Sequence, residues 1–212
     1  MTRSIEPVSV EVWSDVQCIW CYIAAPRLQE AIERFGGEVR VTYRSFLLNP
    51  DAPVEVDRDV QRRHHQASNP RFEQIMAQLS ELTAAEGLDY RPEIIQPTNS
   101  RSAMELLHHA GAAGQRPAMM QRLFRAYFVE GRHVGSIDEL ADLAAGIGLD
   151  PAETRTALEE RRYRSKVDAD VALAQRLGAT GAPFYTVNDR WGVAGAQSSD
   201  AYLDLLHRGA AA

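Results

Sequence analysis

The chain holds two cysteines, Cys18 and Cys21, three residues apart in Cys18-Ile19-Trp20-Cys21. That spacing suits metal ligation, dithiol–disulfide exchange, or an incidental pair of core thiols. A structural zinc site takes four ligands and usually a second cysteine pair, which the sequence lacks. The doublets His64-His65 and His108-His109 fall in helical stretches, where adjacent side chains point about 100° apart and make poor chelates. No metal is therefore expected, and exchange is the leading chemistry.

Exchange has a physical basis in the flanking residues. Val8, Val10 and Val12 alternate with Ser9, Glu11 and Trp13, the period of a strand. The loop Ser14-Asp15-Val16-Gln17 leads to a helix that starts near Cys18, runs to about Phe35 and stops at Gly36-Gly37. Cys18 then sits where unpaired backbone N–H groups and the helix dipole stabilise a thiolate. Cys21, one turn later, lies on nearly the same face and can close a disulfide. Cys18 is expected to be the exposed, attacking thiol and Cys21 the more buried, resolving one. Asp15 is expected to cap the loop or helix, or to accept the proton of Cys21 if it is buried nearby.

Further along, residues 39–47 alternate again, so the chain opens strand, helix, strand, a crossover that makes parallel strands. Asn49-Pro50-Asp51-Ala52-Pro53 breaks the pattern. Residues 57–178 read as helices, with Phe72, Ile75, Met76, Leu79 and Leu82 on one apolar face and Met120, Leu123, Phe124, Tyr127 and Phe128 on another, both expected in the core. Ser136 with Glu139 reads as a capping box with Gly148 beyond, and Asp150-Pro151-Ala152-Glu153 as a second helix start. Strand pattern returns at Phe184-Tyr185-Thr186-Val187. A turn at Asn188-Asp189-Arg190, the strand Trp191–Ala194 and a helix from about Ser198 to His207 follow. The expectation is one mixed sheet flanked by helices. It is built from a discontinuous domain of residues 1–56 and 179–212, with 57–178 inserted as a helical subdomain.

A net charge of −6 argues against nucleic acid as a partner, since no basic stripe is available to displace counterions. The cluster Arg161, Arg162 and Arg164 is offset by Glu159 and Glu160. No segment has the length of a membrane span, and Met1–Val10 lacks the apolar stretch of a signal peptide, so no membrane is expected and a cytoplasmic location is. There a structural disulfide tends to be reduced, which turns a close cysteine pair toward catalysis or sensing.

Strand, Cys-x-x-Cys and helix, with Pro26 five residues past the second cysteine, together resemble the thioredoxin fold. Thr180-Gly181-Ala182-Pro183-Phe184-Tyr185 resembles the loop that carries a cis-proline in such proteins. The resemblance implies that Pro183 packs on the cysteine pair and that Ala182 offers backbone hydrogen bonds to substrate. Several further segments are similar to the DsbA superfamily, and closest to its cytosolic FrnE-like branch. These are Trp13-Ser14-Asp15, Cys18 to Tyr22, Phe46-Leu47-Leu48-Asn49-Pro50, Asn99-Ser100-Arg101, Leu123 to Phe128, Gly192 to Gln197 and the helical insertion. That branch usually has Pro where Ile19 stands.

The resemblance implies an α/β, thioredoxin-like fold with a large all-helical insertion, and an enzyme of the protein disulfide oxidoreductase or isomerase type. It implies a redox-active Cys18–Cys21 disulfide, no tightly bound cofactor, and a low-molecular-weight thiol as a candidate co-substrate. Protein or small-thiol disulfides are the expected substrates, with an unidentified reductant, and the chain is a monomer or homodimer. Trp20 is expected to line the substrate groove. Asn99, otherwise a helix cap, is allowed to face the cleft. Ile19 and Trp20 add no charge, so the Cys18 pKa is expected nearer thioredoxin's (about 7) than DsbA's (about 3.5).

Two other functions fit the same pattern. One is a thiol-dependent isomerase or transferase like kappa-class glutathione enzymes and hydroxychromene-carboxylate isomerases, with Ser199-Asp200 as a candidate glutamyl site. Their catalytic position is usually Ser. The other is a non-enzymatic redox-sensing accessory protein.

Overall fold

A computed structural model describes residues 7–211. These divide into two compact units. One runs to Leu48 and resumes at Ser165, and the other is Asn49–Arg164.

The first unit is built on β1 (Val8–Ser14), β2 (Val39–Ser45), β3 (Phe184–Val187) and β4 (Trp191–Ala194), in sheet order β2-β1-β3-β4. β1 pairs with β2 in parallel and with β3 antiparallel, the mixed sheet expected from the pattern. The crossover is α1 (Ile19–Phe35), closed by Gly36 at a φ of 68°, a left-handed stop that glycine adopts without strain. Asn188 and Asp189 turn β3 into β4 with φ of 48° and 55°, the hairpin geometry that Asn and Asp tolerate. α9 (Ser199–Ala210) is capped by the Ser198 hydroxyl and packs on α1, β1 and β3.

Val8, Val10 and Val12 are buried, as expected of one face. Trp13 belongs to the opposite face and is also fully buried, because Leu173 and Ala174 pack over it with Phe46, Ala179 and Phe184. Leu173 and Ala174 lie on α8 (Arg164–Arg176), which belongs with the sheet and not with the inserted helices. The expected boundaries at 57 and 178 therefore move to 49 and 164. The cause is Asp170. Its carboxylate accepts from the Ser45 N–H (2.9 Å) and from Arg44 Nη1 (2.8 Å), and its carbonyl accepts from the Trp13 indole N–H (2.9 Å). Arg44 also pairs with Glu11 and lies over the Trp13 ring.

In the second unit, α4 (Arg101–Ala112) packs on α5 (Arg116–Phe128), α6 (Ile137–Ala145) and α7 (Pro151–Glu159). Leu106, Leu107, Met119, Met120, Leu123, Leu140 and Leu143 fill its core. Asp150 caps α7 as its residue type suggests, accepting from the Ala152 and Glu153 N–H groups. Ser136 precedes α6 but makes no side-chain cap bond, and Glu139 pairs with Arg132. α2 (Arg58–Ser68) buries nothing. On α3 (Phe72–Ala85) the stripe Phe72, Met76, Leu79 and Leu82 is only half-buried and Ile75 is exposed, a correction to their expected place in the core. Among the described residues no helix is long and apolar enough to cross a membrane.

Candidate active site around the cysteine pair

Cys18 is the N-cap residue of α1, with extended φ and ψ of −82° and 108°. Its N–H donates to the Asp15 carbonyl at 3.0 Å, and its own carbonyl accepts from Cys21 (3.0 Å) and Tyr22 (3.1 Å). The loop before it is held by the buried Asp15 carboxylate, which accepts from the Gln17 N–H (3.1 Å) and the Leu48 N–H (2.8 Å). Asp15 thus caps the loop, one of its expected roles.

Both cysteines are free thiols. The Cys21 thiol donates to the Cys18 sulfur, and this is the largest influence lowering the Cys18 pKa. Burial pushes the other way, the N–H groups of Cys21 and Trp20 lower it further, and the Asp15 charge raises it. Cys21 is pushed well up, first by burial and then by its bond to Cys18 and the charge on that neighbour. The Ser14 hydroxyl and the Asp15 N–H pull it partly back. The pair is thus split into one thiol that ionises readily and one that does not.

The expected exposure of Cys18 needs correction. It is 4% exposed, the same as Cys21. The reason is a contact from the loop before β3: the Cys18 thiol donates to the Ala182 carbonyl at 3.2 Å. A bond made by the neutral thiol opposes ionisation and must be given up when the thiolate forms.

Ala182 is half-buried and Pro183 buried, and the bond between them is cis. The Pro183 carbonyl accepts from the Gly195 N–H at 2.8 Å, tying this loop to the segment after β4. Trp20 is 45% exposed. Cys18, Cys21 and Ala182 are therefore brought together. Asn99 belongs to the helical unit. There its carbonyl accepts from the Arg101 N–H (2.9 Å) and its amide donates to Pro50 (3.0 Å) and Ala52 (2.7 Å), so it performs the capping role. Ser199 bonds to Glu30 at 2.7 Å and Asp200 to Arg34 at 2.7 Å, so both already hold α9 to α1. Among the described residues no group of three or more His, Cys, Asp or Glu is placed to hold a metal.

Sequence reasoning missed the wall behind Cys21. Tyr43, Tyr185 and Tyr202 are buried there, and each phenol is pushed up by burial first and by Cys21 among the charges it senses. The register carries the signal that was available: Val12 pairs with Tyr43 on one side and Tyr185 on the other, so both share its face. The Tyr185 and Tyr202 rings meet at 4.9 Å, and their hydroxyls are hydrogen-bonded.

A family model described as DSBA-like thioredoxin domain matches residues 9–207. A probable DsbA oxidoreductase from Streptomyces coelicolor superposes with a TM-score of 0.86 at 31% identity, over 95% of this chain and 89% of that one. The YwbO protein of Bacillus subtilis (strain 168) is 31% identical over 160 residues, 74% of each chain. The cytosolic disulfide reductase DsbM from Pseudomonas aeruginosa superposes with a TM-score of 0.65 at 25% identity, over 96% and 95% of the two chains.

Proposed function

The chain belongs to the DSBA-like thioredoxin domain family, and on that premise we propose that it carries out dithiol–disulfide exchange through Cys18 and Cys21. The Cys18 thiolate attacks one sulfur of a substrate disulfide. A Cys18–substrate disulfide forms, the substrate S–S bond breaks, and the leaving sulfur departs as a thiolate that takes up a proton. Cys21 then attacks Cys18, the Cys18–Cys21 disulfide forms, and the second substrate sulfur is released as a thiol. Two substrate thiols are gained for one enzyme disulfide, and the reverse sequence oxidises a dithiol.

One observation carries this reading. Two thiols lie within hydrogen-bonding reach at a helix start, and their pKa values are driven in opposite directions. The low one supplies the nucleophile and leaving group, and the high one keeps the second sulfur protonated until it is needed. Trp20, exposed beside the sulfurs, offers an apolar surface to a substrate chain. The reading takes protein or small-thiol disulfides as substrates and the cytosol as the setting. The partner pool there sets whether the enzyme reduces, oxidises or isomerises.

Trapping tests it. Cys21→Ser is expected to accumulate disulfide-linked partners on Cys18, and Cys18→Ser to lose both trapping and turnover. Turnover unchanged in Cys18→Ser overturns the reading. Survival of thiol-dependent isomerisation in Cys21→Ser would favour the isomerase instead.

A further inference from the structure

The Ser14 hydroxyl is buried, with the residue 1% exposed, and makes no hydrogen bond in the dithiol state. A buried hydroxyl without a partner is disfavoured, which points to a partner that forms in another state. Ser14 is the last residue of β1. Period-two alternation puts it on the face of Val10 and Val12, the face shared by Tyr43 and Tyr185. The phenols of Tyr43 and Tyr185 on this face both sense the charge of the Cys21 sulfur, and the Ser14 hydroxyl is a donor that favours the ionised form of that sulfur.

We infer that Ser14 is a catalytic hydrogen-bond donor held in reserve for the Cys21 thiolate during the resolving step. The inference rests on the exchange reading above and deepens it. In the dithiol the Cys21 proton points to Cys18, so nothing asks for the Ser14 donor. Once Cys18 is bonded to substrate, that acceptor is blunted and Cys21 must lose its proton in a site where burial opposes charge. The Ser14 O–H then rotates to the sulfur. The Cys21 thiolate attacks Cys18, the Cys18–Cys21 bond forms, the Cys18–substrate bond breaks, and the proton shed by Cys21 ends on the departing substrate sulfur. Ser14 donates a hydrogen bond throughout and loses no proton.

The other groups facing Cys21 do not duplicate this. Tyr43 lies on β2 and senses Cys21 through its charge, and Tyr185 on β3 already donates its proton to Tyr202 of α9, whose oxygen also accepts from the Gln197 N–H at 3.2 Å. Asp15 on the preceding loop is an acceptor spent on Gln17 and Leu48 and brings negative charge, and Cys18 is the group under attack.

The test is a single-turnover measurement on the full chain. A Cys18 mixed disulfide with a chromogenic aromatic thiol is formed, and its decay is followed against pH in wild type, Ser14→Ala and Ser14→Thr. Ser14→Ala is expected to slow resolution about tenfold or more, the loss of one hydrogen bond to a charged group. Its pH–rate profile should move up by about one unit, with the rate recovering at high pH. Ser14→Thr, which restores the hydroxyl, should recover most of the neutral-pH rate. A merely structural role would slow all pH values alike and leave the midpoint in place, which overturns the inference, as does an unchanged rate and midpoint in Ser14→Ala. Wild type that forms the mixed disulfide but never resolves it would instead sink the exchange reading itself.

Discussion

The two sulfurs differ through what each one touches. Cys18 is acidified chiefly by the thiol of Cys21, with help from backbone N–H groups, and its Ala182 contact works against that. Iodoacetamide alkylation of Cys18 against pH should therefore give a midpoint below the ordinary thiol value of 9.0. Replacing Cys21 by Ala removes the leading donor and should raise that midpoint, whereas a pure helix-dipole effect would leave it where it was. The covered position of Cys18 was not readable from its place in the motif. Nothing local says that a carbonyl 164 residues away will close over it. The tyrosines behind Cys21 were likewise hidden as ordinary strand and helix aromatics until register lined them up beside Val12.

At the scale of elements, α8 is fastened to the sheet through Asp170, which is buried and answers a backbone N–H, an arginine and an indole. Asp170→Ala should destabilise the fold by about 2–4 kcal/mol, because it strands the Ser45 N–H and half of the Arg44 pairing; urea unfolding of Arg44→Ala, Asp170→Ala and the double variant measures the coupling. A second tight spot is Gly209 of α9. A Cβ there would stand 2.8 Å from Val187 Cγ1 and 3.0 Å from Val8 Cγ1. Gly209→Ala should accordingly cost about 1–3 kcal/mol by overpacking, against a gain in helix propensity of about 1, with a lower urea midpoint expected. The strands and α1 were legible because period-two alternation, Gly36 and the Asn188-Asp189 turn state them locally. The ownership of α8 was not, since Val167, Leu173 and Ala174 read like any helix face and only the long-range bonds of Asp170 assign them. The α3 stripe misled for the opposite reason: apolar periodicity shows that a face exists, not that another element covers it.

For the molecule as a whole, the split pKa values make stability depend on redox state and pH together. The folded pKa of Cys18 lies below its unfolded value, so its contribution is present above the unfolded pKa and is lost as pH falls through the folded one. Cys21 is raised, so its contribution is present below the unfolded thiol pKa and lost as pH climbs toward the folded one. The disulfide form titrates neither. Thermal melts of both forms across pH should show the dithiol gaining on the disulfide from acid toward the thiol range, then falling back above 9.0. A pH-independent gap would count against the opposed shifts. Trp20 also gives this chemistry a colour. It is an exposed indole on the residue before Cys21, whereas Trp13 is sealed under α8 and Trp191 sits half-covered on β4. Light emitted by that one ring should dim or shift as the sulfurs join and return as they part, so turnover can be watched without a label, and Trp20→Phe should darken the signal while leaving both sulfurs in place.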